Sequence, residues 1–510
     1  MVCVPMHPVP MHPSPMNTTE ETLYGDLAFF HTHPIHLAAL AGFCGLEPPA
    51  LDQCRVLDVG CGTGFNLIAM SRTLPRATFV GVDLSPNQIE WGRNIAKMVG
   101  ASRIELHACP LQELDANIGQ FDFIIAHGLF SWVPEEVQIA LLKLFRNHLT
   151  PKGIGYISYN TYPGWHFRNM LRDLFLHFEP QEKSNEERVK NAKESIQEFI
   201  DSLPKTNLAY VQALQSEWKE IKGEEDYYLL YEFLAELNQP IHFKDFAVQL
   251  ANCGLQYLAE SRFGTNSFAM FGTDREALDA SGDDLIRREQ HQDYRWQRYF
   301  RQTLITHHEQ VIPRSPNVEI VKQFWVHSHV QLVEPLADLG ATEFDTAWNL
   351  GQSKEDTFEI CDPFYRRILR RLHDAPGRCL PIAAFRTDAV SIVQFDAGDA
   401  TIYPMLVQFV MRGFLEGYWY VLGNKPAFES NPNDMPKVDS VIRWQVTRGA
   451  SVTNRLHRPV KLTPEERELI ALLDGKTSRD TVSEKLKMLR AEVDLAIERF
   501  AKEAVFEPKD

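Results

Sequence analysis

Residues Val56 to Gly64 read VLDVGCGTG, a short apolar run that opens directly into three alternating glycines, Gly60, Gly62 and Gly64. The run Arg55-Val56-Leu57-Asp58-Val59 predicts a buried strand, and Phe65 to Thr73 predicts a helix behind it. Glycine lets a backbone turn sharply and pass close to a ligand. Strand, glycine turn and helix N-terminus together make a cradle for a nucleotide-type ligand. The dinucleotide fingerprint needs a further glycine three residues beyond Gly62; Phe65 stands there, which disfavours a nicotinamide or flavin.

The pattern continues outward from this turn. A second strand, Ala77 to Val82, ends in Asp83, where a carboxylate can accept two hydrogen bonds from a ribose diol. A helix cap is the rival role for Asp83, but Ser85-Pro86-Asn87-Gln88 already reads as a capping box with proline at the first helical position. Arg103 to Ala108 is a third strand, followed by Cys109-Pro110-Leu111-Gln112. The fourth, FDFIIA from Phe121 to Ala126, has the near-continuous apolar character of a buried parallel strand. His127 to Pro134 then leaves the same sheet edge as the glycine turn, and the fifth strand, Ile154 to Tyr159, runs into Asn160-Thr161-Tyr162-Pro163-Gly164-Trp165-His166. Ligands of open α/β sheets bind beyond the carboxyl ends of the strands, so the loops after strands one, two, four and five should line one site.

Composition narrows the partners. The chain has 510 residues, 44% hydrophobic and 24% charged, as in an ordinary globular protein. A net charge of −16 disfavours a nucleic-acid partner and suits a cationic acceptor such as a lysine side chain. Eight cysteines without a C-x-x-C spacing read as reduced thiols of a cytoplasmic protein, with no metal site. No apolar run reaches about 18 residues, so no membrane segment is expected. The first 16 residues lack the basic and apolar regions of a secretory signal. His31, His33 and His36 lie close enough to suggest a metal, but Pro34 opens a helix through Leu37, Leu40 and Phe43, which is the preferred reading.

Beyond residue 166 the spacing predicts helices over Met170 to Phe178, Glu186 to Leu203 and Phe243 to Gly254, then a strand over Leu255 to Glu260, with Ser267 to Phe271 as a second candidate. These strands either complete the first sheet, leaving residues 166 to about 240 as a helical insertion, or belong to a separate middle domain. Asp274 to Arg301 reads as a charged helix, Glu319 to Glu334 as one or two strands, and Tyr403 to Val421 as a helix. A helix start is expected at Thr463-Pro464-Glu465-Glu466.

These landmarks resemble a class I S-adenosylmethionine-dependent methyltransferase. The loops IIAHGLFSWVP and SYNTYPGWH, the stretch YYLLYEFLAELNQPIHFKDFAVQLANCGLQYLAES, and RYFRQTLITHH and VTNRLHRPV make the chain similar to bacterial methyltransferases with a regulatory domain, the family of the rickettsial protein-lysine methyltransferases. The resemblance runs from about Thr32 to the C-terminus. It implies an α/β, Rossmann-like core with a mostly parallel doubly wound sheet, a helical regulatory middle and winged-helix-like C-terminal parts. The resulting division is a disordered tail at 1–20, a donor-binding core at 21–165, a helical insertion and regulatory domain at 166–305, an α+β winged-helix-like domain at 306–430 and a helical domain at 431–510.

The donor implied is S-adenosylmethionine. Gly60, Gly62 and Gly64 would meet its methionine part and Asp83 its ribose, with Asp58, Leu84, Leu111 and His127 completing the donor site. Relatives tend to carry aspartate after the third strand to bind the adenine amine; Cys109 stands here, and backbone groups near Leu111 are the substitute. Tyr231 replaces a histidine common among relatives. Methyl transfer is an in-line displacement driven mainly by alignment in a dry pocket. Tyr162, His166 and His127 are the candidates on the rim for the proton of an acceptor amine. A protein lysine is the leading acceptor, while a small-molecule acceptor, a non-catalytic sensor and a homodimer through the long helices stay open.

Overall fold

The computed structural model describes residues 28–114, 118–178, 184–204, 208–266, 284–328, 330–332, 347–349, 357–359, 362–393 and 398–508. Five apolar runs form its parallel heart: β1 (Arg55–Val59), β2 (Thr78–Asp83), β3 (Ile104–Ala108), β4 (Phe121–Ala126) and β5 (Leu149–Asn160). Two later strands, β6 (Leu255–Glu260) and β7 (Phe300–His307), join antiparallel to give a seven-stranded sheet in the order β3-β2-β1-β4-β5-β7-β6. The chain leaves β1 towards β2 on one side and takes up β4 on the other, so the strand order reverses there. The crevice at that reversal is where such sheets hold their ligands.

Both faces of the sheet are covered, which is why its central strands read as continuous hydrophobic runs. On one face Val56, Phe79, Phe123, Ile125 and Tyr156 pack on the helix Pro34–Phe43. All ten residues of that helix are buried, because Phe324 against Gly42 and Phe414 against Phe43 cover its far side. A helix enclosed all round needs no polar stripe, and PIHLAALAGF has none. On the other face Leu57, Val82, Ile124 and Ile157 meet Leu141, Phe145, Phe246 and Leu250.

The charged helix expected up to Arg301 ends earlier. The helix spans Leu285–Arg295, and the chain then becomes β7. The strand FRQTLITH lacks hydrophobic alternation because Arg301, Thr303, Thr306 and His307 are buried against polar partners. Arg301 is fully buried, pairs with Glu260 at 2.5 Å, Asp293 at 2.8 Å and Glu289 at 3.4 Å, and lies 3.9 Å over the Phe243 ring. The alternative strand Ser267 to Phe271 and the 1–20 tail lie outside the described residues.

With β6 and β7 in the sheet, the helices Gly164–Phe178, Asn185–Ser202, Ala209–Ile221 and Asp226–Phe233 form an insertion after β5, built round Leu171, Phe175, Ile196, Trp218 and Phe233. The helix expected over Tyr403 to Val421 runs Asp399–Leu415; Gly417 then turns with φ +79 and Tyr420–Leu422 pairs with Trp325–His327 as a strand. At the C-terminus the antiparallel pair Ser451–Thr453 and Pro459–Lys461 stands beside helices Pro464–Leu472, Arg479–Leu486 and Arg490–Lys502. Thr463 and Glu466 form the full capping box. No helix among the described residues is long and apolar enough to cross a membrane.

Candidate active site

The glycine turn needs its glycines. Gly60, Gly62 and Gly64 have φ values of +74, +55 and +68, a region that strains any residue with a side chain. A Cβ on Gly64 would also meet Leu106 at 2.7 Å. The amides of Gly60 and Cys61 donate to Val82 O at 2.8 and 3.1 Å, strapping the turn to the end of β2.

Asp83 completes the strap. Its Oδ2 accepts the Gly62 N–H at 2.8 Å and its Oδ1 accepts the Ser85 N–H at 3.0 Å. Ser85 Oγ accepts the Gln88 N–H at 3.3 Å, so half of the expected capping box is present; Asp83, not Gln88, takes the Ser85 amide. Burial raises the Asp83 pKa, opposed by these backbone N–H groups. A carboxylate offers about four lone-pair directions, so acceptor capacity remains at this strand tip. Leu84 beside it is 45% exposed.

Cys109 follows β3 and donates its N–H to Asp83 O at 3.0 Å. Burial, then Glu113, raises its thiol pKa. The connection from β3 to β4 opens with the 3-10 turn Leu111–Glu113. A cleft of about 470 Å³ lies beside it, lined by Arg55, Glu105, His107, Cys109 and Glu113.

Asp58 lies fully buried at the base of the turn. Its Oδ2 accepts from Asn66 Nδ2 at 3.4 Å, while its Oδ1 has no hydrogen-bond partner. Burial pushes its pKa up to about 7, with Asn66 opposing and Asp83 adding a smaller rise. Asn66, absent from the sequence-derived site, sits on the helix Phe65–Ser71 and links three parts of the chain. Its Oδ1 accepts from Phe29 N–H at 3.1 Å and from His457 Nε2 at 2.8 Å, and its Nδ2 donates to Thr32 Oγ1 at 3.0 Å. No local pattern announces these contacts; VTNRLHRPV was legible only as a stretch similar to relatives.

The three rim candidates do not share one environment. Tyr162 and His166 stack with ring centroids 4.3 Å apart, and His242 stands 5.2 Å from Tyr162. His127 was expected on the same rim but is fully buried under Phe29, whose ring lies 4.2 Å away. Its Nδ1 lies 2.9 Å from Tyr156 Oη and 3.3 Å from Ser158 Oγ. The cause is the segment before the first helix, which crosses the carboxyl edge of β4. His33 and His36 are held by protein groups: His33 Nδ1 accepts the Ile35 N–H at 3.2 Å and its Nε2 meets Thr73 Oγ1 at 2.9 Å, while His36 Nε2 meets Ser261 O at 2.9 Å.

Comparison with known proteins fits this geometry. Residues 56–153 match a methyltransferase domain, 225–307 a predicted methyltransferase regulatory domain, and 434–509 the C-terminal winged helix domain of PKMT. The uncharacterized protein RP028 of Rickettsia prowazekii is 35% identical over 227 residues, which is 44% of this chain and 91% of that protein. The chain belongs to the class I methyltransferases with a regulatory domain. Another R. prowazekii protein, RP789, is 29% identical to this methyltransferase across 92% of its chain and 85% of that protein. PKMT2 from Rickettsia typhi in complex with AdoHcy superimposes with a TM-score of 0.82 at 25% identity, covering 95% of this methyltransferase and 99% of that chain.

S-adenosylmethionine is therefore the methyl donor. The residues present fit it: a buried carboxylate with an unmatched oxygen suits a cationic amine, and side-chain-free turns leave room for close backbone approach. The winged-helix match falls on the segment that reads from sequence as helical, where the pair Ser451–Thr453 and Pro459–Lys461 adds the strands.

Proposed function

We propose that this methyltransferase transfers a methyl group to the amine of a protein lysine in the cytoplasm. The observation that carries this reading is the likeness to PKMT2 across 95% of the chain, through insertion and C-terminal units alike. A likeness confined to the donor-binding sheet would leave the acceptor open. The acidic surface, with a net charge of −16, supports a cationic acceptor.

In this reading Asp58 Oδ1 holds the donor's ammonium, and the turn at Gly60, Gly62 and Gly64 passes its methionine part. Asp83, beside Leu84, takes the ribose hydroxyls. The adenine end lies at Cys109 and Leu111, where a thiol in place of a carboxylate leaves the exocyclic amine less firmly bound. The donor supplies an electrophilic sulfonium methyl. The protein aligns the nucleophile, excludes water and removes a proton from an acceptor whose pKa is about 10.4 when free. Of the rim candidates, the stacked Tyr162 and His166 remain at an accessible edge, while buried His127 acts through the packing of β4 and β5.

Incubation with methyl-labelled S-adenosylmethionine and fractionated lysate tests the reading. Label in protein bands supports it. Label confined to small molecules replaces it with a small-molecule methyltransferase, and donor binding without transfer with a sensor.

A further inference from the structure

The carboxyl end of β5 holds two buried oxygen acceptors with nothing to accept. Asn160 closes the strand, and its Nδ2 donates to Glu232 Oε2 at 3.3 Å and to Asn238 Oδ1 at 3.2 Å. Asn160 is 0% and Glu232 1% exposed, yet Asn160 Oδ1 and Glu232 Oε1 have no hydrogen-bond partner. A buried acceptor left unmatched is costly to the fold. Arg168, the nearby cation, donates to Tyr228 Oη at 2.7 Å and stacks 3.7 Å over the Tyr299 ring.

The position is that of a reacting group. Tyr156, Ser158 and Asn160 alternate onto one face of β5. The register carries that face from Tyr156 through Ile125 to Asp58, so Asn160 shares its face with the donor-site carboxylate. Gly128 N–H donates to Ser158 Oγ at 2.7 Å and Asn160 N–H to Ser131 Oγ at 2.8 Å, which fixes the loop after β4 against the same strand end. Helix Asp226–Phe233 brings Glu232 over this edge.

We propose that Glu232 and Asn160 form the acceptor-amine site, where Glu232 Oε1 and Asn160 Oδ1 each take an N–H of a lysine ammonium. The assignment rests on the lysine reading above and gives it residues. Two adjacent empty acceptors call for a ligand with at least two polar hydrogens. An ammonium supplies three; a hydroxyl supplies one and leaves an oxygen unmet.

Glu232 is also suited to receive the proton. Burial pushes its pKa up to about 7, with Arg168 and the Asn160 hydrogen bond opposing, which places its proton exchange near neutrality. Arg168 in turn faces Tyr228, Tyr299 and Glu217. A proton passes from the lysine Nζ to Glu232 Oε1, and the freed lone pair attacks the sulfonium methyl carbon. The C–N bond forms as the C–S bond breaks, and the bonding pair stays on sulfur, giving a neutral thioether. The products are an Nζ-methylammonium and a protonated Glu232, which returns its proton to solvent.

The test is calorimetric titration of the full chain, saturated with S-adenosylhomocysteine, with n-butylamine as lysine mimic and n-butanol as hydroxyl control. Expected is butylamine binding that weakens at least tenfold in Glu232→Gln and in Asn160→Ala, with unchanged S-adenosylhomocysteine affinity and no competition from butanol. Equal amine affinity in wild type and either folded variant overturns the assignment and leaves a buried water as the occupant. Absence of amine binding to the wild type, or equal binding of butanol, overturns it too. The two readings fail separately: labelled protein lysine persisting in Glu232→Gln removes this site alone, whereas Glu232-dependent amine binding without labelled protein removes only the protein acceptor.

Discussion

His457 Nε2 lies 2.8 Å from Asn66 Oδ1, a contact across 391 residues that joins the C-terminal unit to the helix behind the glycine turn. Burial drives the His457 pKa down to about 3, so the ring is neutral and donates through Nε2. With Phe29 N–H on the same oxygen, the amide is held with its NH₂ towards Thr32 and Asp58. The C-terminal unit thereby helps to orient Asp58, the carboxylate proposed to hold the donor's ammonium. His457 has φ +60, a conformation asparagine tolerates. His457→Asn, too short to reach Asn66, should lower stability by about 1–2 kcal/mol in urea titration and weaken S-adenosylhomocysteine binding. Unchanged values in both measurements would remove the link.

Asp58 predicts a pH dependence with a definite sign. Its native pKa of about 7 stands above the unfolded value, so the unfolded chain gives up this proton first. Its stabilising contribution to the donor-free protein is present below about pH 4 and is lost as pH rises through about 7. A cationic donor favours the ionised form, so donor affinity should rise with pH up to about 7 and binding below it should expel a proton. Calorimetry in two buffers of different ionisation enthalpy measures that release, and Asp58→Asn should abolish it.

Phe65 excludes the dinucleotide fingerprint, and the structure shows what it does instead. It is 2% exposed and packs 5.7 Å from the Trp444 ring, over which Arg448 stacks at 4.3 Å. Trp444→Ala should cost about 2–3 kcal/mol of stability, measured by denaturant unfolding, by uncovering Phe65 and the helix behind the donor turn.

Two substitutions test the rest of the proposed donor seat. Asp83→Ala removes an anchor of the Gly62 amide together with an acceptor, and should lower S-adenosylhomocysteine affinity by roughly tenfold to a hundredfold. Cys109→Asp restores a carboxylate after β3 and should raise affinity by about tenfold. A Cys109→Asp variant with wild-type affinity would move the adenine end away from β3.

The strand-and-turn edge was legible because its signals are local. VLDVGCGTG, Asp83 and FDFIIA each declare a strand or turn within a few residues, and the order of the strands places them at one edge. The remainder was not, for reasons of distance and compensation. β7 hid because Arg301 is neutralised by Glu260, Glu289 and Asp293, so a buried strand carries surface-like residues. Asn66 and His457 look ordinary until folding brings them together, and His127 read as a rim residue because nothing in its own loop reveals that Phe29 covers it. Glu232 carries no local signal, since its burial depends on an insertion folding back over β5.

The most direct measurement of the central claim is amino-acid analysis of protein labelled by this enzyme from methyl-labelled S-adenosylmethionine. After acid hydrolysis the label should co-elute with Nε-methylated lysine, and Asp83→Ala should lower its yield. Label released as methanol by mild base, marking a carboxyl ester, or recovered only in small molecules, would contradict a lysine methyltransferase.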